Sequence, residues 1–214
     1  MHPPAAAGMP PERSAAHSGC MAEALLSERT LLEVAEHEGL VLESYKCSAG
    51  KLTWGFGVTS ASGHQVDRYT SNPSTIERAV EIFEWLLRDK YLPQVRAAFR
   101  GRELTEAQLA AALSFHWNTG AIGRADWVQS FLLGRRDKAW TEFMHWSRPR
   151  EIIARRKAER DLFFDGRWSG DGVVTIYDRV NRREPRNPIW SSARQIDIKD
   201  EVRAALARKE PGAA

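Results

Sequence analysis

The sequence predicts an α+β fold, mostly helical, in which one helix leads into a small β-hairpin lobe and then into a helical lobe. Three observations predict it. Apolar residues recur at helical spacing ahead of Gly39, the period shortens to two around a tight turn, and helical spacing returns after Pro73 behind residues suited to helix N-termini. The chain has 214 residues, is 43% apolar and carries 8 Trp, enough to bury a core. No run approaches the roughly 20 uncharged apolar residues that a bilayer demands, so no integral membrane segment is expected. The surplus of 31 basic over 28 acidic residues, a net charge of +3, is too small to single out an anionic partner.

Ser27 is a fitting N-cap for the first helix, with Leu31, Leu32, Ala35 and His37 following before Gly39. Leu40 to Cys47 and Lys51 to Val58 read as two strands joined by a turn at Ser48, Ala49 and Gly50. Thr59 to Asn72 reads as a third strand plus a loop. Ser74 and Glu77 have capping-box spacing ahead of a helix whose apolar face is Ile76, Val80, Phe83 and Leu87. Thr105 and Gln108 make a second capping box for a helix to about Trp117, ended by Asn118, Thr119 and Gly120. Shorter helices are expected over Trp127 to Leu133, Asp137 to Trp146 and Arg150 to Phe164. Val173 to Val180 looks like a strand and Ile198 to Arg208 like a last helix.

Residues 1–26 read as a disordered N-terminal extension, 27–166 as the main domain, and 167–214 as a C-terminal appendix of strands and a helix with no evident role. The extension lacks the apolar run of about 7–15 residues that a signal peptide contains, and Met21 would serve as a natural start. Cys20 and Cys47 give no disulfide framework and are expected as free thiols, consistent with synthesis in a reducing compartment, the cytoplasm.

The chemistry-bearing stretch is His37-Glu38-Gly39, then Tyr45, Cys47, Gly50 and Thr53-Trp54-Gly55-Phe56-Gly57. Glu38 falls where a helix gives way to a hairpin, and paired strands can bring Cys47 and Thr53 together. The Gly-Phe-Gly segment lets the backbone pass close to a ligand or another element. One acid facing polar hairpin groups is a sensible layout for a cleft.

Here the sequence resembles the phage-type lysozymes, glycoside hydrolase family 24. Their signature is a Glu, eight residues, an Asp or Cys, five residues and a Thr, and Glu38, Cys47 and Thr53 have that spacing. Ser114-Phe115-His116-Trp117-Asn118-Thr119-Gly120 is similar to the family's Phe-x-x-Asn-x-Gly helix end. Arg155-Arg156-x-x-Glu159-x-x-Leu162-Phe163 is similar to its Arg-Arg-x-x-Glu-x-x-Leu-Phe helix. Two departures leave the trio intact. Val58 stands where many relatives have His, and Glu151-Ile152 where the last of these helices often begins with Gly-Leu.

The resemblance implies a lysozyme-like fold with its cleft between the lobes, and an endolysin-like muramidase cutting the β-1,4 bond between N-acetylmuramic acid and N-acetylglucosamine in peptidoglycan. Catalysis would fall to Glu38, Cys47 and Thr53. Glu38 would be the general acid, its carboxyl lifted by burial from a reference pKa of about 4.3. Cys47 has three open roles: partial thiolate, nucleophile, or polar wall beside a water held by Thr53. Asn118, Tyr45, Phe56 and His116 are the substrate-binding candidates. Holin-type release to the wall and a monomeric state are also implied. A lytic transglycosylase acting on the same bond and a non-catalytic peptidoglycan-binding or structural phage protein are the alternatives.

Blander readings stand beside these. Glu36 and Glu43 read as solvated, Tyr45, Trp54 and Phe56 as hairpin packing, and Asn118 as a helix cap. His116 and Trp117 read as core or as neighbours of the cleft. The basic run Arg148, Arg150, Arg155, Arg156, Lys157 and Arg160 is interleaved with Glu151, Glu159 and Asp161, so it reads as surface ion pairs and not as a nucleic-acid site. The His and Cys residues show no metal-ligand spacing and there is no phosphate loop, so no cofactor is expected.

Overall fold

The computed structural model describes residues 26–47, 49–184 and 186–208. Of the expected N-terminal extension only Leu26 falls within them; Cys20, Met21 and the turn residue Ser48 lie outside. Helix α1 (Glu28–Glu36) starts where Ser27 Oγ accepts from Thr30 N at 3.1 Å. Its inner face of Leu31, Val34 and Ala35 is fully buried.

Strands β1 (Val41–Lys46) and β2 (Leu52–Gly55) pair antiparallel, with Tyr45 opposite Thr53, and β3 (Val58–Thr59) pairs on the far side of β2. The third strand is therefore only two residues long. The chain continues as short 3₁₀ turns at Ser60–Ser62 and Asp67–Tyr69, and Trp54 stacks on Tyr69 at 4.1 Å.

Helix α2 (Ile76–Leu86) is capped one residue later than the spacing suggests. Thr75 accepts from Arg78 N at 3.2 Å, while the Ser74 amide is engaged by the Leu42 carbonyl at 2.9 Å. A π turn (Leu87–Tyr91) carries the chain into α3 (Leu92–Ala98), a helix the sequence reading did not anticipate.

Helix α4 (Glu106–Thr119) opens with the reciprocal Thr105–Gln108 capping box and closes on Gly120 at φ 63°. It is the central helix: every residue from Ala110 to His116 is buried. Around it lie α5 (Asp126–Leu132), α6 (Arg136–Phe143) and α7 (Ile153–Asp165), joined through Phe115, Trp127, Phe143 and Phe163. The rings of Trp127 and Phe143 are 4.5 Å apart. Among the described residues no helix is long and apolar enough to cross a membrane.

The segment after Asp165, expected as an appendix, shares this core. Strand β4 (Val173–Tyr177) lies beside Leu40, which donates to the Thr175 carbonyl at 2.8 Å and accepts from the Tyr177 amide at 2.9 Å. Strand β5 (Ala193–Asp197) pairs with β4, and α8 (Lys199–Ala207) packs on α1 and α2. The physical reason is an inward pair, Val174 and Ile176, at strand spacing, then an inward stripe, Ile198, Val202 and Ala205, at helical spacing. Glu33, buried in α1, accepts from Ser169 N, Ser169 Oγ and Gly170 N, so α1 also holds the start of this segment.

Candidate active site

Glu38 leaves α1 just past its C-cap, with its amide held by the Ala35 carbonyl at 2.9 Å. Its side chain points inward, and Oε1 accepts from Arg155 Nη1 at 2.5 Å. Arg155, on α7, also donates through Nε to Glu159 Oε1 at 2.8 Å and through Nη2 to the Ser114 carbonyl at 3.1 Å. Ser114 Oγ closes this ring on Glu159 Oε1 at 2.6 Å. On the other side, Arg156 Nη1 donates to Glu159 Oε2, and its Nη2 to Asn118 Oδ1 at 2.6 Å. The acid is thus the end of a buried charged chain linking α1, α4 and α7.

Arg155 and Arg156 are not the surface ion pairs their composition suggests. They sit with Glu159, Leu162 and Phe163 on the inner face of α7, and the Arg156 side chain has no exposed surface. Glu43 is likewise not solvated: it is buried on β1 and accepts from Arg186 at 2.8 Å and Arg182 at 3.1 Å. Glu36 is half-buried, and burial pushes its carboxyl up.

Burial also pushes the Glu38 carboxyl above the usual range; the Arg155 guanidinium pulls it back, without cancelling the effect. Glu38 lines a cleft of about 190 Å³ with Gly39, Val41, Tyr45, Gly57, Tyr177, Pro188 and Trp190. Gly57, at φ 81°, lies against the acid. A Cβ there would lie 3.4 Å from Glu38 Oε2, so the bare backbone leaves that oxygen room. The same glycine borders a second cleft of about 210 Å³, lined by Thr59, Ser62, Lys90, Tyr91 and Trp117 among others. Trp117 Nε1 donates to the Phe56 carbonyl at 3.1 Å and so pins the β2–β3 turn to the helical lobe. Gly57 is thus common to both clefts, and Glu38 lines the first of them.

Tyr45 lines the cleft, and burial with the nearby Glu38 and Cys47 pushes its hydroxyl up. Cys47 and Thr53 are neighbours further along the hairpin. The Thr53 hydroxyl donates to the Lys51 carbonyl at 3.0 Å and lies beside the Cys47 sulfur. Burial would push the Cys47 thiol up, but the Thr53 hydroxyl and the backbone amides of Ala49 and Lys51 together bring it below its ordinary value.

Two of the substrate-binding candidates, Phe56 and His116, do not line the cleft that holds Glu38. The Phe56 ring is fully buried against Phe83, and its carbonyl is taken by Trp117 Nε1. His116 is buried, hydrogen-bonds to Gln94 at 3.2 Å, and lines a different cavity of about 560 Å³ bordered by Arg100, Gly120 and Arg124. Burial brings its pKa down to about 4. Asn118 is exposed, and its carbonyl oxygen is held by Arg156. No Asp or Glu lines that larger cavity. Glu33, Glu36 and His37 bring ligand atoms within 4.8 Å of one another, but the Glu33 carboxylate is already occupied by Ser169 and Gly170. The sequence reading missed Arg155 as the partner of the acid, although its i,i+4 spacing to Glu159 on an apolar helix face signals it. It also missed Tyr177 and Trp190, for which no local signal exists.

The phage lysozyme family model matches residues 35–159, which hold Glu38, the hairpin and the Arg155–Glu159 network. The chain belongs to the phage lysozyme family. It is 31% identical over 152 residues to an endolysin of Acyrthosiphon pisum secondary endosymbiont phage 1, an alignment that spans 64% of this chain and 97% of that relative. The fold of this phage lysozyme family member is also similar to that of an endolysin from Escherichia coli O157:H7 phage FAHEc1. There the TM-score is 0.55 at 23% identity, with 67% of this chain and 96% of the other covered. The muramidase domain of SpmX from Asticaccaulis excentricus superposes with a TM-score of 0.50 at 25% identity over 64% of this chain and 96% of its own. Tyr177 and Trp190 lie outside the residues that the family model matches.

Proposed function

We propose that this phage lysozyme family member hydrolyses peptidoglycan at the β-1,4 bond between N-acetylmuramic acid and N-acetylglucosamine. The observation that carries the reading is a single carboxyl, held toward its protonated form by burial, in a cleft that shares Gly57 with a second one. A polymer lying across Gly57 would present one glycosidic oxygen to Glu38 with sugars on both sides. Family membership and the endolysin and muramidase relatives support the same substrate class.

In this mechanism Glu38 gives its proton to the departing O4 of N-acetylglucosamine as the C1–O4 bond breaks. A water attacks C1 of the muramic acid, oriented by Thr53. The lowered thiol of Cys47 favours the partial-thiolate role, in which its sulfur takes the proton the water loses. Tyr45 and the free amide nitrogen of Asn118 bind sugar hydroxyls. Mass spectrometry of fragments from purified peptidoglycan tests the reading. Reducing muramic acid ends are expected; anhydro-muramic ends would replace it with a transglycosylase, and absence of both would overturn it.

Arg155→Met supplies a pH test with a definite sign. Arg155 favours the carboxylate of Glu38, so its removal lets Glu38 keep its proton to higher pH. The alkaline limb of the pH–rate profile should therefore move up relative to the parent protein. A limb that stays in place would mean that another group sets it.

A further inference from the structure

We infer that the connection between β4 and β5 builds a saccharide subsite beside Glu38, in which the indole of Trp190 carries the apolar face of one pyranose ring of the glycan strand. The inference rests on the reading of Glu38 as the acid of a peptidoglycan hydrolase and adds a binding element to it.

Trp190 is the first observation. Three large hydrophobic side chains are exposed among the described residues: Leu133 at 66%, Trp140 at 37% and Trp190 at 66%. Trp140 is covered by the guanidinium of Arg160, 3.8 Å from its ring centre. Neither Leu133 nor Trp140 lines the cleft that holds Glu38, whereas Trp190 does. An indole left in solvent at the rim of an acid-bearing cleft is a surface for a ligand with an apolar face.

The second observation is that the ring is held in place. Tyr177 meets Trp190 edge to face, with centroids 5.1 Å apart and planes at 88°. Tyr177 itself lies flush against the residue after the acid. A Cβ on Gly39 would come within 2.9 Å of Tyr177 Cε2, so glycine at 39 is what lets this wall stand so close. The connection is fastened to β1 by Arg186 and Arg182 on Glu43, by Lys46 on Glu184 at 2.9 Å, and by the Lys46 amide on the Arg186 carbonyl at 2.5 Å. A platform ordered before binding loses little entropy when the ligand arrives.

The lining names the ligand class. Apart from Glu38 it contains no ionised side chain: Gly39, Val41, Gly57 and Pro188 supply apolar surface, and Tyr45 and Tyr177 supply hydroxyls. That mixture suits a neutral sugar ring, apolar on its face and hydroxylated at its edge. It does not suit a phosphate or a nucleic acid, for which a cation would be needed.

The test compares the parent protein with Trp190→Ala and Trp190→Phe in two assays: initial rates of reducing-end release from purified peptidoglycan, and calorimetric binding of the N-acetylglucosamine tetramer. For Trp190→Ala we expect about a tenfold rise in KM and a similar loss of tetramer affinity, with kcat falling far less. Trp190→Phe should recover most of both. An unchanged KM and tetramer affinity in Trp190→Ala would overturn the inference. So would a protein that no longer folds, which would assign the ring to structure. If the parent released no reducing ends yet lost tetramer affinity through Trp190→Ala, the subsite would stand and the hydrolase reading would fall.

Discussion

Replacing Glu38 with Gln should lower reducing-end release from peptidoglycan by at least about 10²–10⁴-fold while leaving the protein folded. Gln has the size of Glu and keeps a carbonyl oxygen that can accept from Arg155 Nη1, so the contact seen at 2.5 Å survives in neutral form. Arg155 also retains Glu159, and its charge is not stranded. What disappears is the acidic proton, and an amide cannot supply one to a departing sugar oxygen. Thermal unfolding close to that of the parent, together with lost activity, is the expected pair of results. Activity within a few-fold of the parent would remove Glu38 from the reaction.

The largest effect on stability should come from Glu159→Ala, a loss of about 3–5 kcal/mol. Its carboxylate is 1% exposed and accepts from Ser114 Oγ, Arg155 Nε and Arg156 Nη1. Alanine leaves two buried guanidinium groups to share Glu38, Asn118 and the carbonyls of Ser114 and Trp146. For a chain of this size the loss corresponds to a fall of roughly 6–20 °C in Tm. Glu159→Gln, which can still accept from Ser114, should lose less. A change below about 1 kcal/mol in the alanine variant would show that the network carries no net stability.

The parts of the site that could be read in advance are those confined to one stretch of chain. Glu38, Tyr45, Cys47 and Thr53, which the family resemblance singles out, fall within a helix end and a hairpin whose pairing sets Tyr45 opposite Thr53. Helix α4 was legible for the same reason: Thr105 with Gln108 and the glycine at 120 are local signals with local outcomes. Ser74 misled because its amide is committed to Leu42, a partner more than thirty residues back, which leaves Thr75 as the cap. Glu43 misled because its cations, Arg182 and Arg186, arrive from the far end of the sequence. Strand β5 carries no apolar alternation to announce it, since it is an exposed edge whose pairing is dictated by β4. Arg155 and Arg156 show a different lapse. Charge drew them to the surface, although their spacing with Leu162 and Phe163 points inward.

The union of α1 with β4 and α8 also sets a timetable for the newborn chain. Leu31, Val34 and Ala35 leave the ribosome long before part of their covering, which comes from residues 174–205. About 160 residues separate α1 from α8. At ordinary translation rates of about 5–20 residues per second, the first helix waits roughly 10–30 s for its last partner. The wall that carries Tyr177 and Trp190 emerges in the same late interval, so the cleft around Glu38 is completed well over a hundred residues after Glu38 itself is made.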